Sequence, residues 1–171
     1  MKVTGYQLKE AIKLKSLELS TVISQFDESL HHFKGEEHIS PITIAEKSQE
    51  LEDEIVLLQV AQDYYNINIE VDSETTLAAC IKAVGGYGRR AKLFREAATG
   101  SKRDRWERSR GLTRDADQEV AVPTISKQSA LQEAIRYEKM ATNYRTQIAV
   151  ANVKVLDIPI LNAVHPKRLF S

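Results

Sequence analysis

Ile12, Leu19, Phe26 and Phe33 recur every seven residues, and Ile44, Leu51, Leu58 and Tyr65 repeat the pattern further along. Seven residues are close to two helical turns, so each series lies along one stripe of a helix, and that stripe needs a neighbour to cover it. Ser16, Ile23 and Leu30 follow the first three positions of one series by four residues. Ser48, Ile55 and Gln62 do the same in the other. The repeat predicts an all-α fold, an antiparallel bundle of long helices with a coiled-coil seam.

Local signals place the helix ends. Thr4 and Gln7 have the spacing of a capping box, in which each side chain satisfies a free backbone N–H. The first helix then runs for about 29 residues, roughly 43 Å, toward Gly35. Ser40-Pro41 is a start signal for the second helix, a cap residue followed by proline at the first helical position. Val56, Leu57 and Val60 widen its apolar arc, as expected for a helix that is central or shared with another subunit. Asn66 to Asp72 alternates polar and apolar residues and reads as a short extended link, with Asp72 or Ser73 capping helix three.

Leu77, Ile81 and Val84 give helix three an apolar stripe, and Leu93, Phe94 and Ala97 continue it. Between them lies Gly85-Gly86-Tyr87-Gly88-Arg89-Arg90. Two structures fit this run. The helix breaks at Gly85-Gly86 and a new N-terminus faces an anion. Alternatively it runs on, each glycine costing about 1 kcal/mol relative to alanine and leaving room for a close neighbour. The balance tips to the continuous or kinked helix. Arginine forks recognise carboxylate and phosphate, so Gly85, Gly86, Tyr87, Gly88, Arg89 and Arg90 form the core of a candidate anion site.

The apolar pattern then disappears from Thr99 to Glu119. Lys102, Arg103, Arg105 and Arg108 surround Trp106, the only tryptophan. Arginines beside an aromatic ring can clamp a phosphate or stack on a base, so these five residues join the candidate site. The competing reading is a solvated loop. Glu119 to Pro123 could add a short edge strand. Ser126 caps the last long helix, whose seam runs Ala130, Ala134, Tyr137, Ala141, Tyr144, Ile148, Ala151 and Val155. Residues 1–157 read as one helical bundle domain with the 99–119 basic loop inside it. Residues 158–171 read as an extended apolar tail that docks on the bundle or on a neighbouring subunit.

Composition narrows the function classes. Lys and Arg total 24, as do Asp and Glu. A neutral chain gives no general argument for nucleic acid or an acidic membrane as partner, and near-zero net charge favours self-association into a homo-oligomer. The lone Cys80 cannot form an intrachain disulfide and reads as a buried thiol in a reducing, cytoplasmic setting. The longest apolar run, Ile55 to Leu58, is far too short to span a bilayer. His31, His32 and His38 invite a metal reading, yet adjacent histidines on a helix diverge and no second half of a site is visible. No cofactor motif appears: the glycine spacing matches neither a P-loop nor a dinucleotide fingerprint.

Several positions carry a family resemblance. They are Gln7-Leu8-Lys9-Glu10-Ala11-Ile12, Asn66 near the end of helix two, Thr76-Leu77 at the start of helix three, and a charged loop before Ile125. Arg145-Thr146-Gln147-Ile148, followed by Asn152, completes the set. On these the chain resembles the septicolysin-like family of small bacterial helical proteins. The resemblance implies a helical fold and carries over no catalytic residues.

With no nucleophile, base or metal constellation in view, the sequence points to a non-enzymatic, homo-oligomeric binding protein. The expected ligand is a small anion, a nucleotide or a nucleotide-derived signal, sequestered or sensed, with Tyr87 or Trp106 stacking on a base. The alternative is a structural or assembly subunit whose helices and tail make the contacts without a ligand.

Overall fold

A computed structural model describes residues 1–31, 39–99, 124–163 and 170. The described elements run β1 (Lys2–Thr4), α1 (Gly5–Ser29), α2 (Pro41–Asn68), α3 (Leu77–Thr99), α4 (Lys127–Ala151), β2 (Val155–Asp157) and a short 3₁₀ helix (Pro159–Ala163). The fold is all-α and bundle-like. Two compact units divide it: Met1–Ala78 with Ala149–Ser171, and Ala79–Ile148. Reading residues 1–157 as one bundle does not separate these units.

In the first unit α1 and α2 pack against each other. Both start as their cap residues dictate: Thr4 and Gln7 close a reciprocal capping box, and the Ser40 hydroxyl accepts from the Ile42 N–H with Pro41 at the first helical position. The ion pairs Lys15–Glu54 and Lys47–Glu18 fix the two helices as antiparallel. Val22, Ile44 and Leu51 form one core cluster with Leu19 at its edge.

The α1 seam is a correction to the expected one. Its buried positions are Gly5, Leu8, Ala11, Lys15 and Val22, while Ile23, Phe26 and Leu30 are exposed. The stripe is rotated because Lys15 occupies a core position, which apolar periodicity does not register. The helix itself ends at Ser29, short of Gly35.

The expected extended link is also corrected. α2 continues through Asn68, and the extended element that follows is a single bridge between Glu70 and Thr76. Asp72 caps no helix. Its carboxylate accepts from the Glu74 N–H at 3.0 Å and tightens the turn before α3. These hydrogen bonds hold its pKa below the ordinary aspartate value.

β1 and β2 form an antiparallel pair in which Lys2 faces Asp157, Val3 faces Leu156 and Thr4 faces Val155. α4 therefore stops at Ala151, and Val155 belongs to a strand and not to the helical seam expected for it. Beyond it Ile158 and Leu161 are fully buried, and the 3₁₀ helix packs on α2.

The second unit is built on α3 and α4, also antiparallel: Tyr87 stacks on Tyr144, and Phe94 on Tyr137. Cys80, Ala91, Ala134 and Ala141 are buried. Small side chains let two helix backbones approach closely, so the aromatic rings gather along one flank of the pair. Ser126 caps α4, its hydroxyl accepting from the Ser129 N–H at 3.0 Å.

Candidate functional site

α3 is continuous through its three glycines, so no new helix N-terminus exists at Gly85-Gly86. Successive residues on a helix point about 100° apart, and this decides where the candidate side chains go. Arg90 lies over the rings of Tyr87 and Tyr137, 5.9 and 5.7 Å from their centroids. Arg89 folds back along its own helix: its Nη1 is 3.5 Å from where a β-carbon on Gly85 would stand. The two arginines do not converge. Tyr87 stacks on both Tyr137 and Tyr144, with centroids 6.1 and 5.7 Å away. Nothing lies within 4 Å of a β-carbon placed on Gly86 or Gly88. Lys102, Arg103, Arg105, Trp106 and Arg108 lie outside the described residues, as does the stretch 119–123.

Gly88 does line a groove. Together with Ala91, Lys92 and Arg95 of α3 and Glu138, Ala141, Thr142 and Arg145 of α4, it encloses about 430 Å³. That volume is in the range of small-molecule sites. The spacing explains the lining. Gly88, Ala91, Lys92 and Arg95 follow the three-and-four rhythm of one helical face, and Glu138, Ala141, Thr142 and Arg145 follow it on the facing helix. Small residues form the floor and long charged ones the rim.

The described lining of the groove is positive, with three cations, Lys92, Arg95 and Arg145, and one carboxylate, Glu138. Arg95 and Glu138 pair in parallel, Nε to Oε1 at 2.5 Å and Nη2 to Oε2 at 2.8 Å. The Arg95 guanidinium holds the Glu138 carboxyl below its ordinary pKa, and Glu138 in turn raises that of Arg95. Among the described residues, Lys92 and Arg145 have no acidic partner. Among the described residues these two cations are thus available to an anion, and Thr142 adds a hydroxyl to the lining.

This fold has a solved counterpart. The crystal structure of a functionally unknown conserved protein from Corynebacterium diphtheriae superposes with a TM-score of 0.72, covering 92% of this chain and 100% of that one, at 15% sequence identity. At that identity the likeness shows the fold alone. No family model and no curated protein sequence matches the chain.

Sequence reasoning missed Lys92, Arg95, Glu138, Thr142 and Arg145. Their signal was present as charged residues one turn from small ones on two separate helices. Each looks like solvated surface until the helices are paired. Sequence reasoning also missed a charge division hidden by the neutral total. The described residues of the first unit carry six Lys and Arg against fourteen Asp and Glu, and those of the second carry nine against three. No helix among the described residues is long and apolar enough to cross a membrane.

Proposed function

We propose that this protein is a non-enzymatic, homo-oligomeric binding protein that sequesters or senses a small anion, a nucleotide or nucleotide-derived signal, in the α3–α4 groove. One observation carries the reading: among the described residues Lys92 and Arg145 face a groove of about 430 Å³ without an acidic partner, while the one carboxylate that they place there, Glu138, is paired with Arg95. A phosphate placed there gains charge-assisted hydrogen bonds from both cations. The same pairing argues against an enzyme, since a carboxylate held ionised by an arginine is a poor base. The buried thiol of Cys80 supports the cytoplasmic setting. The septicolysin-like resemblance belongs to the proposal only as an expected helical fold.

Calorimetric titration with inorganic phosphate, then with nucleotides, tests the reading. Binding that weakens in Lys92→Ala and Arg145→Ala supports it. No binding, or binding indifferent to both substitutions, refutes it.

A second reading, a structural or assembly subunit without a ligand, has its own observation. The face of α2 opposite its buried stripe carries Ile42, Val56, Val60 and Ile67, all exposed. An assembly that forms in protein with no anion affinity favours this reading.

A further inference from the structure

The outward face of α2 carries a regular row of exposed apolar residues. Two seven-residue series make it: Ile42, Gln49, Val56 and Asp63, and, offset by four, Glu46, Asp53, Val60 and Ile67. Ile42, Val56, Val60 and Ile67 are 71, 57, 46 and 62% exposed. Ordered apolar rows of this kind mark interaction surfaces. The row is also acidic, through Glu46, Asp53 and Asp63.

The sign of that charge selects the occupant. Two α2 faces meeting about a two-fold axis would set acidic residues against acidic residues, which opposes association. A basic face of matching form exists on α3. Lys82, Gly86, Arg89 and Leu93 follow one another by four, three and four residues, and Lys82, Arg89 and Leu93 are exposed. Lys82 and Arg89 have no acidic partner among the described residues. Gly85 lies beside them, and no neighbour comes within 4 Å of a β-carbon on Gly86. Glycines in a helix interior cost about 1 kcal/mol each, and a closely approaching helix would offset that cost.

We infer that the acidic, apolar face of α2 docks on the glycine-thinned, basic face of α3 in a second copy of this chain. The contact joins two different faces, so two copies either exchange it reciprocally in a closed dimer or pass it on in a ring or a filament. It supplies surfaces for the oligomeric part of the proposed function and is independent of the anion groove.

Sedimentation at increasing protein concentration tests it. The wild-type chain associates, and added salt reverses the association by screening the charges. Val60→Asp blocks one face and Arg89→Glu the other, and each weakens association by about tenfold or more. Both positions are exposed, and circular dichroism checks that the helices persist. Asp53→Lys, a charge change on the exposed part of α2, provides a second variant of that face and weakens association too. The deciding step is to mix the Val60→Asp and Arg89→Glu chains. Each retains one working face, so the mixture yields a heterodimer and nothing larger. Wild-type protein that stays monomeric, assembly indifferent to Arg89→Glu, or no complex on mixing overturns the inference. Phosphate titration of the Val60→Asp chain reads the groove separately, so failure of one idea is distinguishable from failure of the other.

Discussion

The hydroxyl of Tyr65, on α2, stands 2.7 Å from the carbonyl oxygen of Lys154 and 2.9 Å from that of Ala151. Tyr65 is fully buried. Its hydroxyl donates to the turn that ends α4, and its ring lies against Gly5 at the start of α1. One phenol thus ties together three chain segments distant in sequence. Removing the hydroxyl in Tyr65→Phe leaves buried backbone groups without their partner, and a loss of about 1–3 kcal/mol follows. Urea unfolding measures it as a lowered midpoint with an unchanged slope. Burial also raises the Tyr65 pKa. The stabilisation from keeping this phenol protonated is present below the ordinary tyrosine value near ~10 and is lost as pH rises through the higher folded value. Tyr65→Phe removes that alkaline step.

Gly5 sits against the same knot. A β-carbon there would collide with Oδ1 of the buried Asn152 and stand 2.7 Å from the Tyr65 ring. Gly5→Ala therefore destabilises the first unit by about 1–3 kcal/mol through overpacking. The check is a thermal melt, in which an unchanged midpoint would show that the knot can shift to make room.

Lys15 and Glu54 face each other at 3.2 Å, with side chains only 9 and 11% exposed. Lys15→Met removes the cation that faces this mostly buried carboxylate, and a loss of about 1–3 kcal/mol follows. Replacing both, in Lys15→Met with Glu54→Leu, restores most of that stability. A double-mutant cycle by urea unfolding separates the pair from the packing around it.

Much of the fold was legible because its signals are local. Thr4 with Gln7, Ser40 with Pro41, and Ser126 each read correctly as helix starts, since a cap acts within one turn. The α1 stripe was not legible. Lys15 looks like surface until Glu54, on another helix, is brought beside it. The β1–β2 pair has three residues per strand from opposite ends of the chain, so no periodicity reveals it. In the glycine run the residue types suggested an anion site, but side-chain direction is set by the 100° step of the helix. Gly88 reaches the groove, while Arg89 and Arg90 turn elsewhere. The groove cations Lys92 and Arg145 become a pair only when α3 meets α4.

Glu138 restrains the groove electrostatically. Glu138→Gln releases Arg95 and removes the negative charge, and phosphate affinity rises several-fold in titration at low ionic strength. Arg95 lowers the Glu138 pKa, so the stabilisation from their pairing is present above the unfolded glutamate value near ~4.3 and is lost as pH falls through the lower folded one. Acid titration of unfolding in wild type and Glu138→Gln reads the difference.

The central claim is that Lys92 and Arg145 together receive an anion. Calorimetric titration of inorganic phosphate into the wild-type protein and into the Lys92→Ala, Arg145→Ala double variant tests it most directly. The account predicts saturable binding in the wild type and an affinity lower by about tenfold or more in the double variant. Equal affinity in the two proteins, or no binding in either, contradicts it.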